Sequence, residues 1–482
     1  MQFHVLSFEG PDPYARAGGL ASRVQGLVEA LARLGHETHL WFVGDPHQPG
    51  HETRGSLRLH RWCQWISAYY PGGVYDGEEG KQANFAASLP PFLLDEVLAP
   101  HLREGGQAVV LAEEWQTVPA LLHLDWLLRE RSLRDRVALF WNANNTFGFE
   151  RIDWLPLARA AQITTVSRYM KHRMWNLGVD PLVIPNGLPP DCFQPPDRKA
   201  VAAIRGRLRD RTVLAKMARW DPDKRWLAAI ELVAEMKQQG WRPLLVARGG
   251  MENHREQVLG AARTRSLRVV ERSWSRSGAG AFAEALRDVG EADVVELRSH
   301  IDPDARRALF RAADAVLANS GHEPFGLVGL EAMAAGGVAC TGGSGEDYAV
   351  PGHNALVLET DQPREFLSLF SQLRREPEGE RALRRAGAST ARHYAWLHVI
   401  QRVILPRVSV DDVPAPSVRR RARRAPPSPR TPSPRRDKTR GAPVAPAPPG
   451  FRGPVVCEAR AESAVEVGGP NPRHERRAAA TA

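Results

Sequence analysis

The sequence predicts an α/β protein with two doubly wound domains that face a central cleft, followed by a disordered tail. The first observation is the alternation of short apolar runs with helical patterns. Residues 3–7 form an apolar run, residues 20–34 carry apolar side chains at helical spacing, and residues 39–43 form the next apolar run. A strand, a helix and a strand within about 40 residues are typical of a right-handed βαβ unit. Such units indicate a parallel sheet.

The same alternation continues through both halves of the chain. In the first half it predicts further strands at residues 108–112, 137–141, 163–166 and 182–184. In the second half it predicts strands at 212–217, 243–247, 267–270, 294–297 and 315–317, and helices at 226–237, after Met251, at 303–312 and at about 327–335. Residues 271–292 are rich in Ser, Gly and Arg, so we expect a surface insertion there.

The second observation is a proline-rich connector at residues 185–196, which indicates a domain boundary near residue 195. We therefore expect an N-terminal domain at 1–194 and a second domain of similar type at 195–385. The helical pattern over 380–403 predicts a C-terminal helix, with residues 386–408 packed across the domain junction. Residues 409–482 hold 14 of the 38 prolines and one aromatic residue, so we expect a disordered tail.

The net charge of +10 is a property of the tail and not of the predicted domains. Of the 65 basic and 55 acidic residues, 15 and 7 lie after residue 410, which leaves a net charge of +2 for the remainder. We therefore expect no specific nucleic-acid partner. No run reaches the roughly 18 apolar residues of a membrane span, so any membrane association is expected to be peripheral. Four isolated cysteines and no apolar leader indicate a cytoplasmic protein without disulfides.

The strongest functional signal is a pair of carboxylates around a loop that turns into a helix. Glu323 precedes Pro324 and Gly326, and Glu331 follows within the predicted helix. Amide N–H groups around Gly326 and Leu327 would point from the helix start, where the helix dipole favours an anion. A nucleotide-diphosphate sugar has this layout, with hydroxyls on either side of two phosphates. An ordinary helix with a surface glutamate at each end is the alternative.

The second functional signal is a pair of cations at the carboxyl end of a predicted strand. Arg219 and Lys224 follow the strand at 212–217, where two cations can neutralise a leaving diphosphate without a metal ion. The nearby Asp221 and Asp223 are interpreted as turn and helix caps rather than metal ligands, as is Asp302.

The third signal is the loop before the first helix. Gly18 and Gly19 have no Cβ, so a ligand can approach the backbone, and the helix start favours phosphate. Arg16 adds a flexible cation.

Together these motifs resemble those of retaining glycosyltransferases with the two-Rossmann GT-B fold, specifically family 4 (glycosyl transferases group 1) and the glycogen and starch synthases. Glu323 and Glu331 match the family's E-x7-E element, and Arg219 and Lys224 match its diphosphate-binding cations. The other matching segments are residues 16–20 (RAGGL), 113–117 (EEWQT), 166–170 (VSRYM) and 184–188 (IPNGL). The resemblance covers about residues 2 to 405.

The resemblance implies a retaining transfer of a hexosyl group, with glucosyl favoured, from an ADP-, UDP- or GDP-sugar to a hydroxyl acceptor such as a glucan. It implies no metal and no other cofactor. Glu331 would bind the ribose and Glu323 the donor sugar. Catalysis would rest on Glu323, Arg219 and Lys224, and donor binding also on Arg16, Gly18, Gly19, Gly326 and Leu327.

On the acceptor side the resemblance points to Glu114, Asn142 and Asn144. Trp141 and Asn142 stand where many relatives carry a histidine, and asparagine cannot shuttle a proton near neutral pH. A polar turn is the alternative interpretation of this asparagine run. Other functions remain open at this stage: a sugar phosphorylase, a nucleotide-sugar epimerase, or a non-catalytic sugar- or nucleotide-binding scaffold. The oligomeric state is not encoded in any pattern.

Overall fold

A computed structural model describes residues 1–408 of the chain, and the predicted tail at 409–482 lies outside these residues. The described chain contains two sheets, each covered by helices, so the predicted α/β fold with two Rossmann-like domains is confirmed. None of the helices described within residues 1–408 is long and apolar enough to cross a membrane.

The first sheet has eight strands in the order β3-β4-β2-β1-β5-β6-β7-β8 within the described chain. Its strands are β1 (Gln2–Leu6), β2 (Glu37–Val43), β3 (His51–Arg54), β4 (Leu57–Trp62), β5 (Ala108–Glu113), β6 (Val137–Ala143), β7 (Gln162–Thr165) and β8 (Leu182–Val183). Every neighbouring pair is parallel except β3 and β4. The central strands are buried along their whole length, as expected for a parallel sheet covered on both faces.

The helices around this sheet follow the strands in chain order. They are α1 (Gly19–Arg33), α2 (Gln64–Ser67), α3 (Glu78–Phe92), α4 (Ala99–Arg103), α5 (Val118–Glu130), α6 (Trp154–Ala160) and α7 (Arg168–Trp175). Helix α1 is the one whose sequence pattern is clearest. It buries Leu20, Val24, Leu27, Val28 and Leu31 on one face, because these side chains recur every three or four residues.

The second sheet has seven parallel strands in the order β11-β12-β10-β9-β13-β14-β15 within the described chain. The strands are β9 (Thr212–Met217), β10 (Pro243–Arg248), β11 (Val269–Arg272), β12 (Val294–Leu297), β13 (Ala315–Leu317), β14 (Ala339–Thr341) and β15 (Leu356–Val357). Its helices are α8 (Arg198–Arg207), α9 (Trp226–Gln238), α10 (His254–Thr264), α11 (Ala279–Ala285), α12 (Pro303–Ala312), α13 (Leu327–Ala334), α14 (Pro363–Arg375) and α15 (Pro377–His393).

The prediction of a surface insertion at residues 271–292 is wrong. The segment contains the end of β11 and the whole of α11, and it buries Phe282 and Leu286 completely. Phe282 packs edge-on against Trp274, with ring centroids 5.4 Å apart. The Ser, Gly and Arg residues that suggested a loop lie between these apolar side chains. The prediction failed because it followed the overall composition of the segment, whereas a few apolar residues decide how the segment packs.

The predicted C-terminal helix is interrupted, and its end packs on the first domain. Helix α15 stops at His393, and a second short helix, α16 (Trp396–Val399), begins after a break. Trp396 is buried against Gly26 of α1 and Gly187, and a Cβ at either glycine would lie 2.3 Å from its ring. Leu188 exchanges backbone hydrogen bonds with Tyr394 and Trp396 across this junction.

The predicted boundary between the two domains at residue 195 stays a prediction.

A stack of buried histidines crosses the first sheet beside Trp41. His4, His39 and His60 lie on the adjacent strands β1, β2 and β4, and the rings of Trp41 and His60 are nearly parallel with centroids 3.7 Å apart. His39 Nδ1 lies 3.0 Å from His60 Nε2, and His51 Nδ1 lies 2.8 Å from His60 Nδ1. Burial lowers the pKa of His39 to about 4 and of His60 to about 3, and holds the pKa of His4 well below its usual value.

Because these three imidazoles stay neutral when folded but bind protons when unfolded, stability should fall as the pH drops from about 6.5 towards 4. Each proton bound only by the unfolded chain contributes a slope of about 1.4 kcal/mol per pH unit. His60→Phe should flatten the pH dependence of the free energy of unfolding, measured by urea denaturation. The exposed His353→Gln is the control, and an unchanged slope in His60→Phe would contradict this account.

Candidate active site

A cavity of about 910 Å³ lies between the two sheets, at the carboxyl ends of their strands. This is where ligands bind in doubly wound sheets. Its N-terminal wall is formed by Glu9, Ala17, Gly18, Gly19, Leu20, Tyr75, Glu78, Glu114, Trp115, Gln116, Asn144, Asn145, Phe147 and Asn186. Its C-terminal wall is formed by Lys216, Met217, Ala218, Arg219, Lys224, Leu317, Ala318, Ser320, Glu323, Pro324, Phe325, Gly326, Leu327 and Val328.

The C-terminal wall brings Lys224 and Glu323 together although they are 99 residues apart. Lys224 Nζ lies 2.7 Å from Glu323 Oε2, and both side chains are about one-fifth exposed towards the cavity. Arg219 extends further into the opening, with 66% of its side chain exposed. Its backbone carbonyl accepts a hydrogen bond from Trp226 Nε1 at 2.7 Å, and its guanidinium lies 3.9 Å from the Asp221 carboxylate.

The loop that carries these cations is shaped by two aspartates. Asp221 accepts a hydrogen bond from Asp223 N at 2.9 Å and so caps the turn Pro222–Lys224, as predicted. Asp302 caps α12 in the same way, also as predicted. The prediction that Asp223 caps the next helix is wrong: its carboxylate accepts from His322 N and its carbonyl accepts from Gly321 N. Asp223 therefore ties the cation loop to the Glu323 loop.

Gly326 starts α13 in a conformation that a side chain would not tolerate. Its φ is 79°, and a Cβ would lie 2.6 Å from Glu346 Cγ and 3.3 Å from Glu323 Cγ. Glu346 is buried beneath this turn, where burial and the neighbouring Glu323 raise its pKa to about 7. Its Oε2 accepts from Ser344 N at 3.2 Å, and Ser344 Oγ accepts from Glu323 N at 2.9 Å. The turn thus positions Glu323 and places the Gly326–Leu327 backbone on the cavity surface.

The start of α1, predicted to take a phosphate, is already occupied by a carboxylate of the chain itself. Glu9 Oε2 accepts from the amides of Ala17, Gly18 and Ala21 at 2.9–3.3 Å. A Cβ at Gly19 would meet no protein atom within 4 Å, so the backbone there faces open cavity. Gly18 and Gly19 therefore line the cavity as predicted, but the amides of Ala17, Gly18 and Ala21 are hydrogen-bonded to Glu9.

Glu114 is the most strained polar residue of the N-terminal wall. It has a φ of 66°, a region that few residues other than glycine adopt. Burial raises its pKa to about 8 despite the hydrogen bond that it accepts from Asn144 N at 2.9 Å. Strain and a shifted pKa in a cavity are typical of functional positions. Near neutral pH this carboxyl is largely protonated, so it can donate a hydrogen bond to a substrate hydroxyl.

Asn142 lies behind the wall instead of on it, contrary to the predicted acceptor contact. Its Nδ2 donates to Glu113 Oε2 at 2.9 Å, and its Oδ1 accepts from Thr164 Oγ1 at 2.9 Å. Glu113 is fully buried, is paired with Arg23, and accepts a third bond from Asn144 Nδ2. Asn142 thus supports the buried ion pair, while Asn144 reaches the cavity.

Two other predicted donor-binding residues lie away from the cavity wall. Arg16 is exposed and donates to Pro11 O and Gln25 Oε1. Glu331 points from α13 to Arg306, with Oε2 3.3 Å from Nη1, and burial raises its pKa. Three of the predicted site residues do not line the cavity, namely Arg16, Glu331 and Asn142. The others do, and they are Glu323, Arg219, Lys224, Gly18, Gly19, Gly326, Leu327, Glu114 and Asn144.

Lys216 is a lining residue that the sequence analysis did not single out. It lies on β9, is 1% exposed, and stands with Nζ 5.5 Å from the Trp226 ring centre. Among the described residues its ammonium has one hydrogen-bond acceptor, Leu317 O at 3.2 Å. Burial lowers its pKa to about 7. A lysine within an otherwise apolar buried strand was the signal that could have revealed it.

No group of three or more His, Cys, Asp or Glu side chains within residues 1–408 has a geometry that could hold a metal ion. The charged groups that face a ligand at the C-terminal wall are Lys216, Arg219, Lys224 and Glu323. This wall can bind a polyanion through cations and the Gly326–Leu327 backbone.

Comparison with known proteins agrees with this geometry. Residues 282–390 match the family model "Glycosyl transferases group 1". The chain is 26% identical over 404 residues to a D-inositol 3-phosphate glycosyltransferase of Thermobispora bispora, covering 79% of this chain and 87% of the relative. With the corresponding protein of Geodermatophilus obscurus it is 29% identical over 234 residues, and here the chain spans 47% of the relative's length.

The fold is shared with solved glycosyltransferase structures. A sucrose-phosphate synthase from Thermosynechococcus elongatus has a TM-score of 0.57 at 19% identity, covering 83% of this chain and 97% of that one. The catalytic domain of starch synthase IV from Arabidopsis thaliana, bound to ADP and acarbose, has a TM-score of 0.57 at 15% identity, with 83% and 99% covered. Residues 282–390 thus resemble a glycosyl transferases group 1 domain, the fold is GT-B-like, and these similarities support a glycosyltransferase enzyme.

Proposed function

We propose that the protein is a retaining, metal-independent hexosyltransferase that uses a nucleotide-diphosphate sugar as donor and a hydroxyl group as acceptor. The observation that carries the proposal is the convergence of Lys216, Arg219, Lys224 and Glu323 with the Gly326 turn on one wall of one cavity. The match of residues 282–390 to the family model and the starch synthase bound to ADP support a nucleotide-sugar donor.

In the proposed reaction the acceptor oxygen forms a bond to the anomeric carbon while the bond from that carbon to the diphosphate oxygen breaks. The acceptor's proton passes to the leaving diphosphate, so the products are a glycoside and a nucleoside diphosphate. Arg219 and Lys224 stabilise the negative charge that develops on the diphosphate, which is the role otherwise played by a divalent metal. Glu323 stabilises the positive charge that develops on the sugar ring. Retention is supported by the E-x7-E resemblance of Glu323 and Glu331.

The function can be tested by incubating the protein with ADP-, UDP- and GDP-glucose and a set of hydroxyl acceptors in the presence of EDTA. We expect release of one nucleoside diphosphate and a glycoside that keeps the donor's anomeric configuration, as read by NMR. The absence of both turnover and binding with all nucleotide sugars would argue against the proposal. Turnover that requires added divalent metal would contradict metal independence alone.

Removing either Arg219 or Lys224 should weaken donor binding. Each ammonium or guanidinium that bonds a phosphate contributes roughly 1.5–3 kcal/mol, so Arg219→Ala and Lys224→Ala should each raise the dissociation constant about 10- to 100-fold in calorimetry. Lys224→Ala should have the larger effect on turnover, because it also leaves Glu323 without its partner. Arg209→Ala, at a side chain that is 81% exposed, serves as the control and should bind normally. Unchanged affinity in both cavity variants would contradict the assigned role.

Lys216 should make donor affinity depend on pH. Below a pH of about 7, Lys216 is already protonated in the free protein. Above this pH, Lys216 must take up a proton when the donor binds. We therefore expect affinity for the nucleotide sugar to fall as the pH rises from 7 to 9, by at most about tenfold per pH unit. Lys216→Met should bind about tenfold more weakly at pH 6.5 and lose most of this dependence. The exposed Lys199→Met is the control, and a wild-type pH profile in Lys216→Met would refute the role of this lysine.

A further inference from the structure

The two walls of the cavity carry opposite charge. The C-terminal wall contributes Lys216, Arg219 and Lys224 against one carboxylate, Glu323. The N-terminal wall contributes Glu9, Glu78 and Glu114, and no lysine, arginine or histidine is found among the described residues that form it. A ligand that spans the cavity therefore meets cations at one end and carboxyl groups at the other.

The carboxyl groups of the N-terminal wall are fixed by neutral partners and not by cations. Glu9 Oε1 accepts a hydrogen bond from Tyr75 Oη at 2.7 Å, and Glu9 Oε2 accepts hydrogen bonds from three backbone amides. Glu78 Oε1 accepts from Gln116 Nε2 at 2.9 Å, and Glu114 Oε1 accepts from a backbone amide. Hydrogen bonds of this kind orient the carboxylates of Glu9 and Glu78 without cancelling their charge, whereas the buried Glu114 is largely protonated near neutral pH.

Nearby cations of the same domain are engaged elsewhere. Arg23 is paired with the buried Glu113, at 3.1 Å. Lys81 Nζ is bonded to Tyr14 Oη and to the carbonyls of residues 73, 74 and 76. Arg151 lies over the Trp115 ring, 4.5 Å from its centre, and is not part of the wall. None of these three cations is among the residues that line the cavity.

Three residues of the N-terminal wall, Trp115, Gln116 and Asn144, each carry a buried polar atom without a hydrogen-bond partner among the described residues. Gln116 is 4% exposed, and its Oε1 has no hydrogen-bond partner among the described residues. Trp115 is 5% exposed, and its Nε1 is likewise unpartnered within residues 1–408. The neutral polar side chains that line this wall, those of Tyr75, Gln116, Asn144, Asn145 and Asn186, suit a neutral polyol, since each ligand hydroxyl can both donate and accept.

We infer that the acceptor is a polyhydroxylated molecule that carries no phosphate or carboxylate group. This inference rests on the proposed transferase function and names its acceptor class. A phosphate on the acceptor would have to lie against the carboxylates of Glu9 and Glu78 on a wall without a cation, and like charges in a confined cavity repel strongly. The inference separates this chain from the relatives whose names specify a phosphorylated acceptor or product.

The test compares neutral polyols with their phosphate esters as acceptors: glucose with glucose 6-phosphate, myo-inositol with inositol 3-phosphate, and maltose as a larger neutral probe. Donor binding and slow donor hydrolysis are measured separately without acceptor. We expect at least one neutral member to accelerate nucleotide release, with kcat/KM at least tenfold above that of its phosphate ester. Loss of donor binding would count against the proposed function itself. Intact donor binding with acceleration by phosphate esters alone, or by no neutral polyol, would overturn the inference.

Charge reversal at Glu78 gives a sharper version of the test. Glu78 is partly exposed at the start of α3, so Glu78→Lys should fold, and the adjacent exposed Glu79→Lys is a matched control with the same charge change. Glu78→Lys should shift the ratio of kcat/KM for phosphate ester over neutral polyol upward at least tenfold. Glu79→Lys should leave this ratio within about twofold of wild type. Equal ratios in the two variants would contradict a wall that excludes acceptor phosphate.

Discussion

The geometry of the cavity depends on the packing of Trp396 into the first domain. After β8 the chain passes Gly187 on its way to the second sheet, and it returns to the first domain at Trp396, whose ring is accommodated only because residues 26 and 187 have no side chain. Trp396, Val399 and Ile400 then join the apolar core formed by β1, β2 and α1. Two covalent crossings, joined by the hydrogen bonds of Leu188, thus hold the two sheets with their carboxyl ends facing each other.

Burial at these strand ends sets the chemistry of the cavity. Lys216, Glu114 and Glu346 are all nearly inaccessible to solvent, and in each the largest influence on the pKa is loss of hydration. Uncharged forms of all three are therefore accessible near neutral pH, which is uncommon for surface lysine and glutamate. By contrast, 66% of the Arg219 side chain is exposed. The cavity thus combines one exposed cation with two buried lining groups, Lys216 and Glu114, whose protonation a ligand can change.

The position of Glu9 shows that the two helix starts facing the cavity are not equivalent. At α1 the amides bind a carboxylate from the protein itself, whereas the turn before α13 brings its backbone to the cavity beside Lys224 and Arg219. A second phosphate-binding site at α1 would require Glu9 to leave three amides and a tyrosine hydroxyl. Under the proposed function this difference places the donor diphosphate at the C-terminal wall and the acceptor at the N-terminal wall.

The sequence by itself determined the two α/β domains and five residues of the C-terminal wall, namely Arg219, Lys224, Glu323, Gly326 and Leu327. Strands such as Val294–Leu297 and helices such as Pro303–Ala312 could be located because burial on both faces demands continuous apolar runs and amphipathic helices demand a regular spacing. Only the tertiary structure decided which partners the isolated polar side chains contact. Asn142 donates to the buried Glu113, Glu331 pairs with Arg306, and Glu9 accepts from the amides at the start of α1. Each side chain contacts a partner that only folding brings near, and no local sequence pattern specifies that partner.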